Sequence, residues 1–152
     1  MSDWTIFEKL EKEFSVELKT NDDEASLVDP KTGACIKVFE EAYYSRNMKE
    51  KYVEYIVSFT TQHRHYDDLD DAMDFIRELM MDEVLAIEFY SNGKRRFGGD
   101  ITAEEYENLT VESLAKRYHC NEQQLLNFEY EIHSWSGKHD TGLRSVSELR
   151  LN

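Results

Sequence analysis

Residues 52–66, YVEYIVSFTTQHRHY, constrain the fold more than any other stretch of this chain. Fifteen residues in a row contain no glycine or proline and are dense in β-branched and aromatic side chains. Such side chains suit the pleated, half-buried surface of a strand and lose rotamer freedom in a helix. The segment therefore predicts a long or bent strand at the centre of a sheet. With 152 residues, 40% of them hydrophobic and 12% aromatic, the chain is too apolar for disorder. It is long enough to bury about two-thirds of its unfolded surface around one core. A single domain over 1–152 is the expectation.

Elements flanking that strand follow from periodicity. Trp4, Phe7, Leu10 and Phe14 recur at helical spacing behind a capping Asp3 or Ser2, so residues 3–14 read as an amphipathic helix. Val16 and Leu18 switch to alternation, and residues 25–29 and 34–40 flank a Pro30-Lys31-Thr32-Gly33 turn as a hairpin. Residues 43–51 lack a period and read as a loop or short helix. Leu69, Ala72, Met73, Ile76, Leu79 and Met80 form one face of a helix capped by Asp67 or Asp68. Residues 84–90 and 95–97 flank Asn92-Gly93, the strongest hairpin signal present, with Gly98-Gly99 ending the return strand. Thr110 caps one later helix, and Asn121 with Gln124 forms a capping box for another. Phe128, Tyr130 and Ile132 alternate as a last strand, and the polar residues 137–152 read as a loose tail. The resulting fold class is α+β: a single, mostly antiparallel sheet with helices on one face, in the order α-β-β-β-α-β-β-α-α-β.

Charge narrows the function. Eighteen Lys and Arg face 32 Asp and Glu, a formal net charge of −14. Phosphate backbones and anionic headgroups repel such a surplus, so neither direct nucleic-acid binding nor membrane binding is expected. Cys35 and Cys120 form no CxxC pair, and the acidic start MSDWTIFEKLEKEF lacks the basic flank and apolar run of a signal peptide. The expectation is a cytoplasmic protein with reduced thiols. No GxSxG, GxGxxG or GxxxxGK[ST] motif is present, and no cofactor is expected.

Three constellations could carry chemistry. His63 and His65 project to the same face of a strand, and Asp67 can complete a three-ligand metal set. The run His63-Arg64-His65-Tyr66-Asp67-Asp68 resembles part of the HxHxDH signature of the metallo-β-lactamase fold, with Asp68 where that family has His. That resemblance implies a small metal-dependent hydrolase or ligand-binding domain. A strand end turning polar as it leaves the core, followed by capping aspartates, accounts for the same residues and is preferred. Residues 110–132 resemble a helix-turn-helix, with His119 at the usual turn glycine. Glu122, Glu129 and Glu131 would oppose approach to DNA. An EF-hand is excluded at 67–71, which lacks the loop glycine and the distal Glu.

The third constellation is the acidic segment 67–83. Asp67, Asp68, Asp70, Asp71, Asp74, Glu78, Asp82 and Glu83 face only Arg77, so eight acids against one base place −7, half the net charge, in one stretch. The helix dipole explains acids at the start of a helix, but not Asp82 and Glu83 at its end. Solubility alone is the plain alternative. In size, acidity and lack of a catalytic motif the chain resembles toxin-neutralising immunity proteins and phage inhibitors that occupy nucleic-acid channels. The resemblance implies a non-enzymatic binding protein that neutralises a basic partner, such as a nuclease, through these eight carboxylates. Tyr43, Tyr44 and Trp135 are candidate aromatic anchors.

Overall fold

A computed structural model describes residues 3–47 and 49–151; Ser2, one of the two candidate caps, lies outside them. The chain is α+β and divides into two compact units, Met1–Met81 and Asp82–Asn152, each with its own antiparallel sheet. Two sheets replace the single one expected. Alternation reveals that a segment is a strand but not which strand it pairs with.

In the first unit a 3-10 turn, Trp4–Phe7, runs into α1 (Glu8–Phe14). The Asp3 carboxylate accepts the Thr5 N–H at 3.0 Å and starts the turn; Ser15, in the left-handed region at φ 54°, stops the helix. Trp4, Phe7 and Leu10 are buried as their spacing predicts. Five strands follow: β1 (Glu17–Thr20), β2 (Glu24–Val28), β3 (Cys35–Tyr44), β4 (Lys51–Phe59) and β5 (Gln62–Tyr66). They form a meander in which each pairs antiparallel with its sequence neighbour. Segment 52–66 is thus a hairpin rather than one long strand. Phe59 pairs with Gln62 across a two-residue Thr60-Thr61 turn, and Thr60 takes φ 57°. A β-branched residue rarely adopts that conformation, so local chemistry gives no signal for the turn.

Ala25, Leu27, Ile36, Val38, Val57 and Phe59 form the buried face of this sheet. It is covered by the N-terminal helix, with Trp4 edge-on to Tyr55, and by α2 (Leu69–Met80), whose Phe75 lies 5.8 Å from the Tyr66 ring. The pairing of β2 with β3 ends at Phe39, and that of β5 with β4 begins at Tyr55. Residues 41–44 and 51–54 consequently run on as a two-stranded ribbon.

The second unit contains β6 (Val84–Ser91), β7 (Lys94–Thr102), α3 (Ala103–Glu107), α4 (Val111–Arg117), α5 (Glu122–Leu125), β8 (Glu129–His133), β9 (Arg144–Ser145) and a closing 3-10 helix, Val146–Leu151. Its sheet order is β7-β6-β8-β9. Asn92 and Gly93 both take positive φ in the β6–β7 turn, as the dipeptide predicts. Gly98-Gly99 does not end β7, which runs on to Thr102. The glycine answers a close approach instead. A Cβ on Gly99 would sit 2.6 Å from Cε1 of Tyr118, whose hydroxyl donates to the Asp100 carbonyl at 2.8 Å.

Three helices occupy the region read as two. Thr102 and Thr110 each make a capping box, with Glu105 and Ser113, while Asn121 caps α5 through the Gln123 N–H. Leu85, Ile87, Phe89 and Ile101 of the sheet pack with Val111, Leu114 and Leu125 of the helices. The segment expected to be a loose tail contributes β9 and buries Val146 and Leu149 in the same core.

Candidate functional site

On α2 the apolar period turns Ala72, Met73, Phe75, Ile76, Leu79 and Met80 inward. Asp70, Asp71, Asp74 and Glu78 are left in solvent. Asp68 is the N-cap: its carboxylate accepts the Asp71 N–H at 2.8 Å. Arg77, the one base of the segment, donates to Glu13 of α1 at 3.0 Å. Among the described residues, Asp70, Asp74 and Glu78 are in no ion pair with a Lys, Arg or His side chain. The negative charge of Asp68, with smaller contributions from Asp74 and Asp70, holds the Asp71 carboxyl above the usual carboxylate range.

Asp82 and Glu83 fall in the second unit. Asp82 takes φ 56° and its carboxylate accepts both the N–H and the hydroxyl of Ser136, the former at 3.2 Å. A structural clasp therefore accounts for Asp82, the acid that the helix dipole left unexplained. The Glu83 side chain is exposed.

Exposed Tyr43, Tyr44 and Tyr52 stand on the ribbon, whereas Trp135 is buried and offers no anchor. Tyr43 donates to Glu41 at 2.7 Å and Tyr52 to Glu50 at 2.6 Å. The Glu41 bond pushes the Tyr43 phenol up to about 12. Tyr43, Lys51, Tyr52, Glu54 and Asp67 line one surface depression, which brings two aromatic side chains beside the acidic start of α2.

His63 and His65 lie on one face of β5 with ring centres 5.7 Å apart, both exposed. His65 Nδ1 lies 2.9 Å from a Glu54 carboxylate oxygen. The ligand atoms of His63, His65 and Asp67 do not converge on one point among the described residues. A different set does. Glu88 of β6 and Glu131 of β8 are direct cross-strand partners, and His133 follows two residues along β8 on the same face. One ligand atom from each lies within 4.8 Å of the other two. Alternation of Glu129, Glu131 and His133 could have marked this face in the sequence. Glu88 enters it only through the β6–β8 pairing.

Around that set, the Tyr90 hydroxyl donates to Glu88 at 2.8 Å, a bond that pushes its phenol up to about 12. Glu88 is 4% exposed, and Arg95 Nε lies 3.9 Å from its other oxygen. Burial raises both thiols, Cys35 and Cys120, above their ordinary value, opposite to what an activated thiolate requires. In the helix-turn-helix-like region His119 takes φ 53° at the glycine position, and α5 is a single turn. Arg117 is engaged by Asp100 at 2.9 Å and by Glu105 at 3.6 Å. No helix among the described residues is long and apolar enough to cross a membrane. Models of known protein families, curated proteins and solved structures give no match to this chain.

Proposed function

We propose that this chain is a non-enzymatic, cytoplasmic binding protein that neutralises a basic, nucleic-acid-handling protein, of the immunity-protein or phage-inhibitor type. The reading rests on the exposed carboxylates of α2, of which Asp70, Asp74 and Glu78 are in no ion pair among the described residues. Asp70, Asp74 and Glu78 recur every fourth residue, about 6 Å apart along the axis. That is close to the roughly 7 Å taken by two nucleotide steps of one DNA strand. Like charges at this spacing destabilise a helix, so their retention calls for a compensating advantage. Attraction to a basic surface supplies one, because opposed charge speeds encounter and rejects wrong partners. The depression bordered by Tyr43, Tyr52 and Asp67 adds aromatic area next to those charges, the composition expected of an interface anchor. The same carboxylates repel nucleic acid and anionic membrane, leaving a protein as the direct partner.

The test is to capture the partner and compare wild type with the D70N/D71N/D74N/E78Q variant. All four side chains are exposed, so the fold should persist. The expected result is weaker binding with a flatter dependence on salt. Equal affinity and an equal salt slope would overturn the reading.

A further inference from the structure

We propose that Glu88, Glu131 and His133 form a binding site for a divalent transition-metal ion of the Zn2+ type. Two carboxylates directly opposite each other on neighbouring strands repel, and this pair joins a 4%-exposed Glu88 to a half-buried Glu131. A carboxylate buried to that degree needs a strong positive partner. Arg95 Nε lies 3.9 Å from Glu88 Oε1, and the Tyr90 hydroxyl donates to Glu88 Oε2. The imidazole of His133 lies beside both carboxylates. Its Nε2 lies 3.2 Å from Glu131 Oε2 and 3.7 Å from Glu88 Oε2.

Those separations have the scale of a coordination polyhedron. An ion bound at about 2.0–2.2 Å by nitrogen and oxygen spaces its ligands about 2.9–3.6 Å apart, from octahedral to tetrahedral geometry. The 3.7 Å edge and the Glu88–Glu131 edge, which is within 4.8 Å, reach that range by side-chain rotation on binding. The donor set selects the metal class: an imidazole nitrogen with two carboxylates suits Zn2+ and its first-row neighbours, whereas Ca2+ and Mg2+ favour all-oxygen sets. The Tyr90 hydroxyl, bonded to Glu88 at 2.8 Å, is placed to orient that ligand from the second sphere. Glu131 and His133 are each about a third exposed, which leaves the outward side of the ion open to water or a small anion. A divalent ion bound by these three groups offsets the repulsion between the two facing carboxylates.

The experiment titrates ZnCl2 into the chelator-treated full chain by calorimetry, with CoCl2 absorption reporting the ligand geometry. One equivalent of Zn2+ should bind, and H133A and E131Q should each weaken it by about 100-fold or more. The H63A/H65A variant should bind as wild type does. E131Q and H133A change partly exposed side chains, so loss of fold is not expected, and a melting curve of each without metal checks this. With Zn2+ present, the melting temperature should rise for wild type and not for E131Q. The proposal is overturned if wild type shows no saturable binding, if H133A and E131Q bind Zn2+ as wild type does, or if H63A/H65A removes the binding.

Discussion

In the first unit the carboxylates of α2 stand in solvent on a helix whose other face is fully packed; in the second unit Glu88 sits in the middle of a sheet at 4% exposure. The two placements have opposite consequences. A solvated carboxylate outside a cap has few ties to its surroundings and can be exchanged with little effect on the fold. A buried one is tied into its surroundings, here through Tyr90, Arg95 and His133, and removing it leaves polar groups without partners. Charge count alone, −14 for the whole chain, does not separate these uses.

The comparison is most open to attack at Glu88. Glu88→Ala should lower stability by about 1–3 kcal/mol in urea denaturation, because the Tyr90 hydroxyl loses its acceptor. A cost near zero would place Glu88 with the surface acids. Asp82 tests an intermediate case. Asp82→Ala removes the acceptor of two Ser136 donors and leaves alanine in the left-handed region, so a loss of about 1–2 kcal/mol is expected. Asp82→Asn, which keeps an acceptor and tolerates that backbone, should recover much of it.

The smallest effect is expected at Asp71, and its sign is opposite. Its carboxyl titrates above the usual range in the folded protein, so the ionised form is disfavoured by folding. The resulting destabilisation is present at neutral pH and is relieved as pH falls through the folded-state value toward the unfolded one. Asp71→Asn should therefore give a slightly higher melting temperature at pH 7 and none of that gain near pH 3. A lower melting temperature at pH 7 would show that its position in the first turn of α2 outweighs the repulsion.

The sequence made one kind of feature readable and hid another. The α2 period and the Asn92-Gly93 turn were legible because each depends on neighbours a few residues away. The Thr60-Thr61 turn was not. Pairing of residues 55–59 with 62–66 holds Thr60 at a positive φ that a threonine does not choose by itself. Gly98-Gly99 looked like a strand end for the same reason, since the Tyr118 ring over Gly99 arrives from a distant helix. The Glu88, Glu131 and His133 set combined both situations. Two of its members alternate visibly on β8, and the third is supplied by a strand far away in the chain. His63, His65 and Asp67 were conspicuous because they are adjacent in sequence, and proximity in sequence did not bring their ligand atoms together.

The strand orders also bear on the sequence of events in folding. Every strand of the first sheet pairs with the strand next to it in the chain, so its loops are short and their closure costs little entropy. The second sheet cannot be completed until β8 returns to β6 across three helices and the chain beyond Gly137 has folded back to bury Val146. On a ribosome the meander can zip up as its hairpins emerge, while β6, with Val84 to Phe89 all apolar or buried, can pair at once with β7 but gains its second neighbour only when β8 follows the three helices. Until then one edge of β6 is open, and an apolar strand with an open edge is where pairing with another chain starts.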